Sequence, residues 1–162
     1  MIKSTAHKTK ESGFTVIELV IVLSMIAVLS AIALPNMGGM IKEYQLRSAA
    51  RGLVAAIQNI KLMAVKENKE IRIAIRQTGG KSQYITFLDA NNNADYDAGE
   101  ELKTIELKTY LTLTSNYTDN EFGFNGRGLP SDGLGNGTIT LTLAGGNSKK
   151  VVINTAGNIR VE

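Results

Sequence analysis

Apolar positions run without a break from Phe14 to Leu34, F-T-V-I-E-L-V-I-V-L-S-M-I-A-V-L-S-A-I-A-L, a stretch of 21 residues in which Glu18 is the one charge. As a helix at 1.5 Å per residue it reaches roughly 31 Å, about the thickness of a bilayer's hydrocarbon core. The pattern changes after Pro35. From Ile41 to about Asn68, Leu46, Ala50, Leu53, Ile57, Ile60 and Ala64 recur at alternating spacings of four and three. They form one stripe, with Lys42, Glu43, Arg47, Arg51, Lys61 and Lys66 over much of the remaining surface, which describes an amphipathic helix packed on its own domain's sheet. Pro35 lacks the amide for a bond to Ala31, and Gly38 and Gly39 follow it, so a weak turn or kink is expected there. Continuous from Phe14 to Asn68, the helix would run 55 residues and roughly 80 Å.

The period switches to two at Glu70-Ile71-Arg72-Ile73-Ala74-Ile75-Arg76, which reads as a half-buried strand with its isoleucines on one face and Arg72 and Arg76 on the other. Thr78-Gly79-Gly80-Lys81 is a turn and Gln83–Leu88 the returning strand. Further strands are expected over Leu102–Leu107, Tyr110–Thr114, Glu121–Phe124, Thr138–Leu143, Lys149–Ile153 and Asn158–Val161. Gly145-Gly146-Asn147 and Thr155-Ala156-Gly157-Asn158 are hairpin turns. Strands in succession with short turns give antiparallel sheet, so the expected class is α+β: a long N-terminal helix on antiparallel β-sheet.

The N-terminal flank sets the orientation. Lys3, Lys8 and Lys10 stand against Glu11, with His7 nearby, and this excess places the N-terminus in the cytoplasm and the rest across the membrane. Leu34-Pro35-Asn36-Met37 is a poor secretory cleavage site. Gly13-Phe14-Thr15-Val16-Ile17-Glu18, behind a short basic leader and ahead of the apolar helix, resembles the type IV prepilin signature of pilins and type II secretion pseudopilins. That resemblance implies cleavage by prepilin peptidase between Gly13 and Phe14 on the cytoplasmic side, N-methylation of Phe14, and a pilin-like fold. The expected organisation is a leader over 1–13, a transmembrane helix over 14–34, its amphipathic continuation over 35–68 and a periplasmic β-rich domain over 69–162. Phe122-Gly123-Phe124-Asn125-Gly126-Arg127-Gly128-Leu129-Pro130, with I-T-L-T-L and V-V-I-N-T-A-G-N-I-R-V, narrows the resemblance to the GspH/FimT group of minor pseudopilins and minor pilins.

Glu18 needs a use, because a carboxylate near a bilayer centre costs about 2.5–3.5 kcal/mol. One helical turn from the processed end, it can approach the amine of Phe14 on its own or a neighbouring subunit, and low dielectric strengthens such a pair. The resemblance favours the neighbour, which makes Glu18 an assembly residue; snorkelling to the headgroups is the simpler alternative.

Composition removes most other chemistry. The 162 residues carry a formal charge of +3 and no cysteine, and the single histidine lies in the leader. Without the leader the chain has 149 residues and a charge near +1, with neither His nor Cys for a general base, a thiolate or a zinc set. Catalysis is therefore not expected. The expected partners are other pilin or pseudopilin subunits, prepilin peptidase and inner-membrane lipid. DNA binding is the competing reading; it would draw on Arg127, Lys149, Lys150 and Arg160, a sparse set with Glu162 at its end. Asp89-Ala90-Asn91-Asn92-Asn93-Ala94-Asp95-Tyr96-Asp97-Ala98-Gly99-Glu100 has the oxygen spacing of a calcium loop. Ala94, however, stands where that loop requires glycine, and strands flank it, so a solvated Asx-rich connection is preferred and no cofactor is expected.

Overall fold

The structure, a computed structural model, describes residues 13–131 and 136–162, with the side chains of 33–36 and 136 outside the description. The leader residues before Gly13 lie outside the described residues, as does the side chain of Pro35, where the weak turn is expected. Contacts divide the chain into two units, Met1–Met40 and Ile41–Glu162. One α-helix, α1, is assigned over Val16–Glu67.

In the first unit every apolar side chain described from Phe14 to Ile32 is exposed. No single described helix is long and apolar enough to cross a membrane; Val16–Ile32 and Met37–Glu67 pass that test only as a pair, by length and composition. Ser24 returns its hydroxyl to Val20 O at 2.8 Å, so this polar group is satisfied within the helix.

The second unit opens with the amphipathic part of α1. All six residues of the expected stripe, Leu46, Ala50, Leu53, Ile57, Ile60 and Ala64, are buried to within 1%. The helix stops at Asn68, which takes the left-handed conformation (φ 51°), while Lys69 N–H reaches back to Ala64 O at 3.2 Å. That pairing closes the last turn and satisfies an end carbonyl.

Among the described residues eight strands follow: β1 Ile71–Thr78, β2 Lys81–Leu88, β3 Glu101–Glu106, β4 Leu111–Ser115, β5 Glu121–Phe124, β6 Asn136–Leu143, β7 Ser148–Asn154 and β8 Ile159–Val161. They form two four-stranded sheets, ordered β3-β2-β1-β5 and β4-β6-β7-β8, with every pair antiparallel. The α+β class is the one expected. The β1–β2 hairpin closes through Gly79 (φ 59°) and Gly80 (φ 75°), the double left-handed pair that matches strand twist in a two-residue turn. Ser82 joins the sheets: its carbonyl accepts from Leu107 N–H at 2.8 Å and its hydroxyl from Leu113 N–H at 3.0 Å. One apolar cluster contains the helix stripe, the isoleucines of β1, Phe122, Phe124 and the inward residues of β4, β6 and β7.

The half-buried reading of β1 needs correcting. Ile71, Ile73 and Ile75 face the main core as expected, but Arg72 is 4% exposed and Ala74 fully buried on the other side. Residues 89–100 fold back over that side. Tyr96 stands edge-on to Phe87 with ring centroids 5.4 Å apart, and Ala74 and Ile85 complete a second small core.

Candidate functional site

The expected site residues Gly13, Phe14 and Glu18 lie at the start of α1, and the structure brings Thr15 into their company. Thr15 occupies the position just before the first helical residue. Its backbone N–H donates to Glu18 Oε2 at 2.9 Å, and its hydroxyl donates to the same oxygen at 3.0 Å. Glu18 N–H lies 3.3 Å from Thr15 Oγ1, and Leu19 N–H closes the first helical bond to Thr15 O at 3.3 Å. This is a capping box, in which Thr and a Glu three residues on satisfy each other's orphan amides. The T-x-x-E spacing of Thr15 and Glu18 ahead of an apolar run is the sequence signal of such a box.

Phe14 is 92% exposed, and it and Gly13 precede the helix, so the Gly13–Phe14 bond lies on exposed chain ahead of it. Among the described residues nothing lies within 4 Å of where a Cβ on Gly13 would sit, so none of them requires glycine there.

The acidic loop closes on itself. Asp89, 4% exposed, accepts from Asn93 N–H at 3.1 Å and Ala94 N–H at 3.0 Å. Asp97 Oδ2 accepts from the side-chain amides of Asn91 and Asn93, each at 2.8 Å. Glu100 takes Ala90 N–H at 2.9 Å and Asp97 N–H at 3.2 Å. Asn92 and Ala94 both have positive φ, Ala94 at 67° where the calcium loop places glycine. Among the described residues no group of three or more His, Cys, Asp or Glu has the geometry to hold a metal.

The basic residues do not converge. Lys150 and Arg160 share the outer face of the second sheet, since Arg160 pairs with Val152 two residues from Lys150. Arg160 is engaged by Glu162 at 2.7 Å. Lys149 points to the opposite face, and Arg127 sits exposed on the loop after β5. Behind that loop Lys61 Nζ donates to Gly157 O at 2.8 Å and lies 5.8 Å from the centre of the Phe124 ring.

The profile of the type II transport protein GspH matches residues 49–157, and that of the prokaryotic N-terminal methylation motif matches residues 8–34. The chain belongs to the GspH family. Its function is that of a minor pilin or pseudopilin, and the methylation motif implies processing by prepilin peptidase. The chain is 31% identical over 158 residues to the pilin-like protein PilA1 of Thermus thermophilus, covering 93% of this chain and 97% of that one. Among solved structures it is similar to the type IV minor pilin FimU of Pseudomonas aeruginosa, with TM-score 0.61, 19% identity, and 74% and 90% of the two chains covered. It is also similar to the minor pseudopilin EpsH of the Vibrio cholerae type 2 secretion system, with TM-score 0.53, 12% identity, and 73% and 96% covered. These two likenesses establish the pilin-like fold. The helix start described above falls within the segment that matches the methylation motif.

Proposed function

We propose that the chain is made as an inner-membrane precursor and cut by prepilin peptidase between Gly13 and Phe14. It is then methylated on Phe14 and assembled with other pilin or pseudopilin subunits into a fibre, with residues 41–162 on the periplasmic side. It acts by assembly and not by catalysis. The observation that supports this most is a division of labour along one helix. The part within 41–162 buries its apolar stripe in its own domain, whereas the side chains described from Phe14 to Ile32 are bare all round. Such a surface suits lipid before assembly and other subunits' helices afterwards. Glu18 then meets the Phe14 ammonium of a neighbour and sets its register.

The test is Glu18→Ala in cells carrying the partner subunits. Cleavage is expected to proceed while recovery in the sheared fibre fraction is lost; normal incorporation of the variant overturns the proposal. The acidic loop is read as self-satisfied and without metal. The competing DNA-binding role rests on Lys150 and Arg160 alone on one face, with Arg160 spent on Glu162, so no salt-dependent electrophoretic shift is expected for the protein.

A further inference from the structure

Three segments far apart in the chain meet at the end of the 41–162 unit where its part of α1 begins. Lys42 Nζ stands 5.8 Å from the centre of the Tyr110 ring, in the turn between β3 and β4. Ala144 N–H donates to Tyr110 O at 2.8 Å and so ties that turn to the β6–β7 hairpin. From the hairpin the Asn147 amide returns to Glu43 Oε2 at 3.0 Å, and Lys149, opposite Leu141, is close enough to attract the same carboxylate. Glu43 is already held by Arg47 at 3.3 Å. Lys42 and Lys108 are exposed and Lys149 half-buried, and among the described residues none of the three forms an ion pair. This end of the domain therefore carries unspent positive charge. Beside it Tyr44 is 65% and Ile41 51% exposed. Among the described residues nothing lies within 4 Å of where a Cβ on Gly145 or Gly146 would sit, so the hairpin tip is low and open.

We propose that this end of the domain is a docking surface for an anionic phospholipid bilayer, with Lys42, Lys108 and Lys149 toward the headgroup phosphates and Tyr44 at headgroup level. Docking of this kind rests on the reading of residues 14–34 as the membrane span and adds a second contact with the same bilayer. Chain length decides the partner. Lys42 follows Leu34 by eight residues (42 − 34), which reach about 12 Å as helix and no more than about 29 Å fully extended. Headgroups fill roughly 5–7 Å beyond the hydrocarbon, and the field of an anionic surface extends about 8 Å further at physiological salt. The helical distance falls inside that sum. Connectivity thus keeps a bilayer beside this end, whereas a soluble partner would have to be met by diffusion. Near an anionic surface each lysine contributes about 1 kcal/mol. A tyrosine suits the same level because its ring is apolar and its hydroxyl wet.

The chain has no cysteine, so the full-length protein takes a single fluorophore at Thr109→Cys, beside Lys108, or at Thr155→Cys, in the turn between β7 and β8. Both positions are exposed. Each labelled protein is placed in nanodiscs that carry a headgroup-attached quencher, made of phosphatidylcholine alone or with phosphatidylglycerol added. Phosphatidylglycerol is expected to deepen quenching at Thr109→Cys and not at Thr155→Cys, and high salt to remove the gain. Changing Lys42, Lys108 and Lys149 to Gln is expected to weaken docking about fivefold per residue, and changing them to Arg to leave it as in the wild type. Equal quenching at Thr109→Cys in the two lipids overturns the docking surface, as does an equal gain at both labels. A gain that survives the triple change to Gln overturns its assignment to these lysines. A chain that does not enter the nanodiscs at all removes the membrane span instead, so the two failures are told apart.

Discussion

The phenol of Tyr117 lies so close over Gly137 that a methyl group on this glycine would overlap the ring and its oxygen. Gly137 sits in β6 opposite Ile153, and Tyr117 is stacked on Phe122 with centroids 4.6 Å apart. Tyr117 thereby joins the strand of one sheet to the aromatic pair on the edge of the other. Gly137→Ala is expected to destabilise the domain by about 1–3 kcal/mol through overpacking. In a Tyr117→Ala background the same change is expected to cost far less, and a thermal-melt double-mutant cycle measures the difference.

Leu53 is fully buried at the middle of the helix stripe. Leu53→Ala removes methyl groups from the shared core and is expected to cost about 2–5 kcal/mol in chemical denaturation. Leu62, 69% exposed on the same helix, is expected to change stability by less than about 0.5 kcal/mol when replaced by Ala. Equal effects at both positions would contradict the packing described.

Asp89 holds two backbone amides of the acidic loop. Asp89→Ala takes the carboxylate from the Ala94 amide and leaves the Asn93 amide to Asn91 Oδ1 at 3.1 Å, and it is expected to lower stability by about 1–3 kcal/mol. Millimolar calcium is expected to leave the melting temperature of the wild type unchanged. An upward shift that Asp89→Ala abolishes would place a metal in the loop.

Glu121 is 2% exposed and pairs with Arg76. Burial raises its pKa above the ordinary 4.5, with Arg76, the Tyr96 amide and Arg72 pulling the other way. A carboxyl whose folded pKa lies above the unfolded one contributes stability that is complete below the unfolded value and is lost as pH rises through the folded value. Glu121→Gln is expected to remove that loss, so its stability falls less than the wild type's between acid and neutral pH. Parallel pH–stability curves would refute this.

Glu43 behaves in the opposite sense. The side-chain amide of Asn147, at the β6–β7 turn, donates to Glu43 Oε2 at 3.0 Å, and Arg47 holds the other oxygen at 3.3 Å. Asn147 first and Arg47 second lower the Glu43 pKa. The associated stability is present above the unfolded value and is lost as pH falls through the lowered folded one. Asn147→Ala is expected to move the Glu43 titration, followed by carboxylate NMR, back toward 4.5. An unmoved midpoint would mean that the contact does not form in solution.

The order and kind of the elements were legible in the sequence because period is a local property. Leu46 through Ala64 keep to one helix face whatever they pack on, and Ile71, Ile73 and Ile75 keep to one strand face. The Gly79-Gly80 turn carries its own conformational requirement. The organisation of the N-terminal segment was equally local: a bare apolar run, one carboxylate and a Gly-Phe junction lie within a few turns of each other. Thr15 was legible too, through its spacing to Glu18.

What the tertiary structure alone decided involves residues far apart in the chain. The division of eight strands into two sheets depends on which partner each edge finds, as when β1 pairs with β5 some 50 residues away. Ala74 is buried in a small core with Ile85, Phe87 and Tyr96, and Tyr96 reaches Phe87 only after an Asn-rich loop turns back. The need for Gly137 comes from Tyr117, and nothing near Gly137 in the sequence announces it. Periodicity reports which face of an element is apolar; what covers that face, and how closely, is set by chain closure and volume, which no local window contains.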